Sequence, residues 1–315
     1  MKFGFGVDLG GTTVKIAYFD ESGTMLCKWE IPTRTEDSGR HILPDIAASI
    51  QDHLDRNGID KESILGIGIG VPGPVNHRGI VNMCVNLGWG RVDISRTLGD
   101  LTGLPVKAGN DANVAALGEC WKGGGQGCEN MVFATLGTGV GGGIVVGGNV
   151  IHGTHGAGGE IGHITLNPEE PDACGCGKHG CVEQYCSATG IVRLAKKHLA
   201  ASQEPSTLRD LETLTCKDIF DASAAGDAVA QAILAQVYDY MGKFLADICC
   251  VTDPEAVVLG GGVSKAGQPL LDGAHKAFEK YAFHACRDIQ FRLATLGNDA
   301  GAYGAFRLAL QAFGN

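Results

Sequence analysis

A chain of 315 residues, 44% hydrophobic and 19% charged, is long enough for two domains with separate cores and too apolar to be disordered. Its formal net charge of −10, with no run of lysine or arginine, argues against a broad phosphate-binding surface, so no nucleic-acid partner is expected. No apolar run reaches the roughly eighteen residues of a membrane span, and the opening MKFGFGVDLGG lacks the features of a signal peptide, so no membrane partner and a cytoplasmic location are expected.

In chain order, KFGFGVDL at 2–9, GGTT and VKIAYFD are two apolar runs joined by a Gly/Thr turn, which predicts a β-hairpin. ILPDIAASIQDHLDR at 42–56 has helical spacing and is stopped by Asn57-Gly58. ILGIGIGV at 64–71 reads as a buried strand ending at Pro72-Gly73, 92–103 as a short helix, VKAGN at 106–110 as a strand and ANVAALGECWKG as a helix. The opening pattern then returns in MVFATLGTGVGGGIVVGGNVI at 131–151: VDLGGTT at 7–13 aligns with ATLGTGV at 134–140, an offset of 127 residues. That is too long for a solenoid repeat and predicts two similarly built lobes, each opening with a hairpin; the competing reading is that any two glycine-rich hairpins look alike. Helices at about 187–199 and 227–250, the strand AVVLGGGV at 256–263 and a closing helix at 299–313 complete an α/β chain.

Three glycine loops, 10-GGTT-13, 137-GTGVGGG-143 and 260-GGG-262, are candidate phosphate cradles. Two dinucleotide-type fingerprints also occur, Gly68-x-Gly70-x-x-Gly73 and Gly137-x-Gly139-x-x-Gly142, but neither continues into a helical pattern, which the pyrophosphate site requires. What remains is a hairpin turn whose backbone N–H groups form an anion nest, with threonine hydroxyls as added donors. Asp8, just before the first turn, is placed to hold a hydrated Mg²⁺ beside phosphates. Plain turns are the alternative for each loop taken singly.

In 109-GNDANVAALGECW-121, Asn110 and Asp111 fall between a strand and a helix. Both residue types are good helix N-caps and need no other role. A carboxylate there is also kept ionised by the helix dipole, which suits a base that takes a proton from an attacking hydroxyl.

The segment 173-ACGCGKHGCVEQ-184 carries three of the twelve cysteines. His163 precedes Cys174 by eleven residues, and Cys176 and Cys181 follow as Cys-x-Cys-x4-Cys. One imidazole and three thiolates are a complete tetrahedral set for a structural Zn²⁺, worth on the order of 10 kcal/mol of local folding energy. A disulfide is the alternative, and three clustered thiols in a reducing compartment disfavour it. His179 and Cys186 are lesser candidate ligands. A clamped loop would hold Glu160, His163 and Glu183 together as hydrogen-bond acceptors for a polyhydroxylated ligand.

Together these residues resemble the ROK family of bacterial sugar kinases and repressors, through DLGGTTVK at 8–15, GNDANVAALGE at 109–119, LGTGVGGG at 136–143, EIGH at 160–163, CGCGKHGCVE at 174–183 and LGGGV at 259–263. The resemblance covers almost the whole chain and is strongest toward ATP-dependent glucokinases. It implies an actin-like (ribonuclease H-like) two-lobed α/β fold with its active site in a cleft. The lobes would be 1–112, completed by the C-terminal helix at about 300–315, and 113–299. It implies Asp111 as the base for the sugar 6-hydroxyl, and Asn110, Asp111, Glu160, His163 and Glu183 as sugar contacts. ATP would be held by Asp8, Gly10, Gly11, Thr12, Thr13, Lys15, Gly137, Thr138 and Gly139, with Gly260, Gly261 and Gly262 near the adenosine. Zn²⁺ on His163, Cys174, Cys176 and Cys181, Mg²⁺ with ATP, and a homodimer or homotetramer follow from the same resemblance. A kinase for another hexose (N-acetylmannosamine, N-acetylglucosamine or fructose), polyphosphate as donor and a non-catalytic sugar-binding protein are the alternatives. A repressor is disfavoured, because only seven residues precede Asp8 where such members carry a helix-turn-helix.

Overall fold

The computed structural model describes residues 1–314. The first hairpin forms around its glycine turn: β1 (Phe3–Leu9) and β2 (Thr13–Asp20) pair antiparallel with Asp8 opposite Lys15, and β3 (Met25–Pro32) adds to β2. α1 (Ile42–Asn57) buries Ile42, Ile46, Ile50 and Leu54 along one face and ends on Gly58, whose φ of 60° is left-handed. β4 (Ile64–Val71) is parallel to β1 and buried along nearly its whole length, as a strand covered on both faces must be. A short ladder of β5 (Ile80–Val81) and β6 (Val92–Asp93) leads into α2 (Ile94–Thr102), capped by the Asp93 carboxylate. β7 (Val106–Asn110) pairs parallel with β4, and α3 (Asp111–Lys122) follows without a linker.

The second half opens with β8 (Met131–Leu136), β9 (Val140–Val146) and β10 (Asn149–Val150). After the cysteine-rich segment come α4 (Glu183–Cys186), α5 (Ala188–Ala201), α6 (Cys216–Ala224) and α7 (Ala228–Thr252). β11 (Ala256–Gly260), α8 (Gln268–Tyr281), β12 (Gln290–Leu293) and α9 (Ala300–Phe313) complete the chain. The two five-stranded sheets have the orders β3-β2-β1-β4-β7 and β10-β9-β8-β11-β12. Each opens with three successive strands laid side by side and then adds two later strands beyond the first, so the repeat seen at an offset of 127 residues is a repeat of topology.

Two compact units divide the chain. One comprises Met1–Glu129, Gly143–Gly159 and Leu296–Asn315; the other comprises Asn130–Gly142 and Glu160–Thr295. In the first, α9 lies against β1, β4 and α3 at distances only glycine permits. A Cβ on Gly6 would stand 2.1 Å from the Ala302 carbonyl oxygen, one on Gly68 1.6 Å from that of Ala305, and one on Gly304 1.7 Å from that of Val114. On the opposite side of the sheet, α1 and α2 cover Phe5, Val7, Ile16, Ile67 and Ile69. In the second unit, β8 and β11 are buried parallel neighbours, and α7 and α8 meet where Gly242 faces the backbone of Ala277.

Besides the short β5, β6 and α4, four longer elements were not foreseen in the sequence: β3, α6, α8 and β12. β3 is half exposed and β12 has only four residues, so neither shows a long apolar run. α6 and α8 do carry helical signals: a Thr215–Asp218 capping box, and Leu270, Leu271, Ala274 and Phe278 on one buried face. The strand expected at 256–263 stops at Gly260, because Gly261 turns to φ +82°.

Candidate functional site

In the first unit three loops leave the carboxyl ends of neighbouring parallel strands. Asp8 is in register with Gly70, and Gly70 with Gly109, so the turn after β1, Pro72-Gly73 after β4 and Asn110-Asp111 after β7 emerge side by side. Such edges are where open α/β sheets take ligands. Gly11 and Thr12 of the first turn are exposed, while Thr33 braces the turn through its hydroxyl to the Gly10 carbonyl at 2.7 Å and its N–H to the Thr12 carbonyl at 2.9 Å. Asp8 faces the start of α9, where a Cβ on Gly301 would stand 2.6 Å from its carboxyl carbon. Burial raises the Asp8 carboxyl above its ordinary value, and the Lys15 ammonium, 3.7 Å away, opposes that rise. Lys15 also donates to the Asn298 carbonyl at 3.2 Å.

The cap of α3 is Asn110. Its side-chain oxygen accepts the Asn113 N–H at 3.0 Å, and its amide donates to Asp111 Oδ1 at 3.0 Å and to the Gly73 carbonyl at 3.1 Å. Asp111 is therefore the first helical residue, with Oδ1 also accepting the Ala112 N–H at 2.8 Å. A carboxylate on the positive end of a twelve-residue helix is favoured in its charged form.

In the second unit, the chain runs from β8 through Gly137-Thr138-Gly139 directly into β9, a strand and not a helix, so the dinucleotide fingerprint at that point has no pyrophosphate site. The loop at 260–262 leaves the adjacent strand end, with Gly260 in register with Thr135. A Cβ on Gly261 would stand 2.5 Å from the Leu136 carbonyl oxygen, so only glycine lets the two loops approach. Beside Gly262 opens a cavity of about 230 Å³ lined by Cys216, Phe220, Val263 and Lys265 among others.

His163, Cys174, Cys176 and Cys181 converge, with one ligand atom of each within 4.8 Å of all the others. Cys176 Sγ lies 3.7 Å from Cys181 Sγ, and Cys174 Sγ 3.9 Å from His163 Nδ1. Two thiolates on a tetrahedral zinc ion, each about 2.3 Å from it, stand about 3.8 Å apart, so the donor set fits. Burial, then the Cys176 and Cys174 thiols, push the Cys181 thiol up to about 12, a direction that a bound cation would oppose. The knuckle is folded by Cys174 N–H to the Lys178 carbonyl at 2.7 Å and by Gly177 and Gly180 at φ of +85° and +70°. A Cβ on Gly180 would stand 1.7 Å from the Asn167 carbonyl oxygen. His179 points its Nδ1 to the Glu170 carbonyl at 2.9 Å, and Cys186 is fully buried in the core; neither joins the cluster.

The sequence-derived acids flank this cluster. Glu160 is exposed and accepts the His163 N–H through its carbonyl at 3.2 Å. Glu183 sends Oε2 to the Val140 N–H at 3.0 Å and Oε1 to within 3.7 Å of Cys174 Sγ. The second unit thus gathers the Gly137–Gly139 turn, Gly260–Gly262, Glu160, His163, Glu183 and the three cysteines, and the first gathers Asp8, Gly10–Thr13, Lys15, Asn110 and Asp111. Sequence reasoning missed Glu170. Buried, it accepts from Arg193 Nη1 and Nη2 at 2.9 and 3.1 Å, from Lys197 Nζ at 2.9 Å and from the Tyr185 hydroxyl at 2.8 Å. It pins the base of the cysteine loop to α5, and no local signal in PEEPDA sets it apart from Glu169.

The ROK family model matches residues 4–312. A glucokinase of Halalkalibacterium halodurans is 45% identical over 311 residues, covering 97% of this chain and 94% of that protein. A ROK hexokinase from Thermus thermophilus has a similar structure, with a TM-score of 0.81 at 35% identity and 98% of each chain covered. A ROK family glucokinase from Streptomyces griseus, in complex with glucose and AMPPNP, matches with a TM-score of 0.76 at 34% identity over 98% of this chain and 99% of that one. The actin-like α/β fold is that of these sugar kinases, and the chain belongs to the ROK family.

Proposed function

We propose that the protein is an ATP-dependent glucokinase, transferring the γ-phosphoryl group of ATP to the 6-hydroxyl of glucose. The observation that carries the activity is the full-length similarity to a glucokinase; the seat of Asp111 supports the mechanism. Its carboxylate, oriented by Asn110 and the Ala112 N–H, accepts the 6-hydroxyl proton while that oxygen bonds to the γ-phosphorus. The bond from that phosphorus to the β–γ bridging oxygen breaks, and ADP leaves. Asn110, Glu160, His163 and Glu183 hold the other sugar hydroxyls.

Gly10, Gly11, Thr12, Thr13, Lys15, Gly137, Thr138 and Gly139 bind phosphates through backbone N–H groups, hydroxyls and the ammonium. The cavity beside Gly260–Gly262 takes the adenosine. Mg²⁺ bound with ATP neutralises charge on the phosphates, and Asp8 is the residue placed to hold its hydration shell. Zn²⁺ on His163, Cys174, Cys176 and Cys181 is structural, because four protein ligands close the site. A cytoplasmic homodimer or homotetramer belongs to the same reading and rests on the family.

The test is a coupled ADP-release assay with Mg-ATP and glucose, mannose, fructose, N-acetylglucosamine and N-acetylmannosamine. A kcat/KM for glucose at least tenfold above the others supports the assignment. Preference for an N-acyl sugar overturns the substrate and leaves the roles of Asp111 and zinc standing. No ADP release with any sugar, together with sugar phosphate formed when polyphosphate replaces ATP, overturns the donor.

A further inference from the structure

The Gly137–Gly139 turn is fastened at three points to the segment that follows the metal cluster. The Ala188 N–H donates to the Gly137 carbonyl at 2.8 Å, the Thr189 hydroxyl to the Thr138 carbonyl at 2.6 Å, and the Val140 N–H to Glu183 Oε2 at 3.0 Å. Thr189 Oγ1 also lies 3.0 Å from the hydroxyl of Ser187. Ser187 in turn donates to the Glu183 carbonyl at 2.7 Å and caps α5 by accepting the Gly190 N–H at 2.9 Å. The remaining oxygen of Glu183 stands 3.7 Å from Cys174 Sγ. One continuous run of contacts, Cys174 to Glu183 to Ser187 to Thr189, therefore joins the cysteine cluster to the turn. The reaction described above uses neither Ser187 nor Thr189.

Across a trans peptide the C=O and the N–H that follows it point to opposite sides. With the Gly137 and Thr138 carbonyls held toward the start of α5, the N–H groups of Thr138 and Gly139 are turned the other way, as an anion nest requires. A glycine turn left unrestrained would have to be ordered when a phosphate binds, and restraint in the free protein removes that cost from binding.

We infer that Thr189 is a positioning residue for the phosphoryl donor, and that the metal-clamped loop acts through Glu183 and Thr189 on donor affinity as well as on the sugar. The inference rests on reading the 137–139 turn as a phosphate cradle. It is tested on the zinc-loaded, full-length protein by Thr189→Val and Thr189→Ser, with calorimetric titration of Mg-AMPPNP, steady-state kinetics and zinc content. Thr189 is exposed, so the valine variant removes the hydroxyl with little loss of packing.

Loss of one hydrogen bond of ordinary strength weakens donor binding about 3- to 10-fold. The expected result is that loss in both the Kd for Mg-AMPPNP and the KM for Mg-ATP, with KM for glucose and zinc content within twofold of wild type and Thr189→Ser close to wild type. Removal of zinc by a chelator is expected to weaken Mg-AMPPNP binding in the wild type and to weaken it less in Thr189→Val, where the link is already cut. Unchanged donor affinity in Thr189→Val overturns the inference, as does an equal loss of donor and sugar affinity. If the wild type itself fails to bind Mg-AMPPNP, the phosphate-cradle reading falls and the inference with it; if the wild type binds and the variants bind alike, the inference alone falls.

Discussion

Asn110 orients Asp111 and caps the helix that Asp111 opens: its amide donates to Asp111 Oδ1 at 3.0 Å while its oxygen accepts the Asn113 N–H at 3.0 Å. Under the proposed mechanism Asp111→Asn keeps the shape and removes the base. A fall in kcat of about 10²- to 10⁴-fold is expected, with glucose affinity by calorimetry within a few fold of wild type. Retained turnover would remove Asp111 from the base role. Asn110→Ala loses the cap as well, at about 1 kcal/mol of stability, and is expected to lower both kcat and the unfolding midpoint.

The four donor atoms around His163 and the cysteines predict one zinc ion per chain by elemental analysis. Cys176→Ser is expected to lose most of that zinc and to make residues 160–184 sensitive to protease at temperatures where the wild type resists. A zinc-free variant with full activity and unchanged stability would refute the structural role.

Glu170 carries a pH prediction. The Arg193 guanidinium, followed by Lys197 and the Tyr185 hydroxyl, holds its carboxyl well below the ordinary glutamate range, against the opposing effect of burial. A group whose folded pKa is depressed contributes stability above its unfolded value and loses it as pH falls through the folded one. The contribution is thus present above about pH 4.5 and fades below it. Glu170→Gln is expected to cost on the order of 2 kcal/mol at neutral pH, since charge-assisted hydrogen bonds are lost, and to flatten the acid limb of the stability profile. Urea midpoints measured from pH 3 to 7 would show both effects; parallel profiles for the two proteins would exclude this role.

Gly304 sits inside α9, where alanine is the better helix former by about 1 kcal/mol. A Cβ there would stand 1.7 Å from the Val114 carbonyl oxygen, which is backbone and cannot swing away. The clash outweighs propensity, so Gly304→Ala is expected to destabilise the protein by about 1–3 kcal/mol or more. A raised unfolding midpoint would show that α3 and α9 can separate at no cost.

Much of this was legible in the residues. Gly/Thr turns between apolar runs announced both hairpins, Asn57-Gly58 ended α1 where expected, and β7 occupies Val106–Asn110 as read. The His/Cys spacing was enough to name four side chains that converge as a candidate metal site. β3 and β12 escaped because an exposed or four-residue strand carries little periodicity. Thr189 escaped because a threonine near a helix start is ordinary until its hydroxyl is seen on the Thr138 carbonyl.

By itself the sequence determined what depends on neighbours in the chain: turn positions, helix stops, strand runs, the spacing of the candidate metal ligands and the family to which the chain belongs. Tertiary structure alone decided which of two adjacent acids, Glu169 and Glu170, is buried against Arg193, and that Glu183 spends one oxygen on the Val140 N–H, 43 residues away in sequence. It also decided that α9 lies on the sheet that β1 begins, where the Ala302 and Ala305 carbonyls meet Gly6 and Gly68. The reason is physical. Backbone propensity and periodicity act over a few residues, whereas the partner of a buried charge, or the glycine that admits a helix, is chosen by which surfaces the packed chain brings within hydrogen-bond or van der Waals distance.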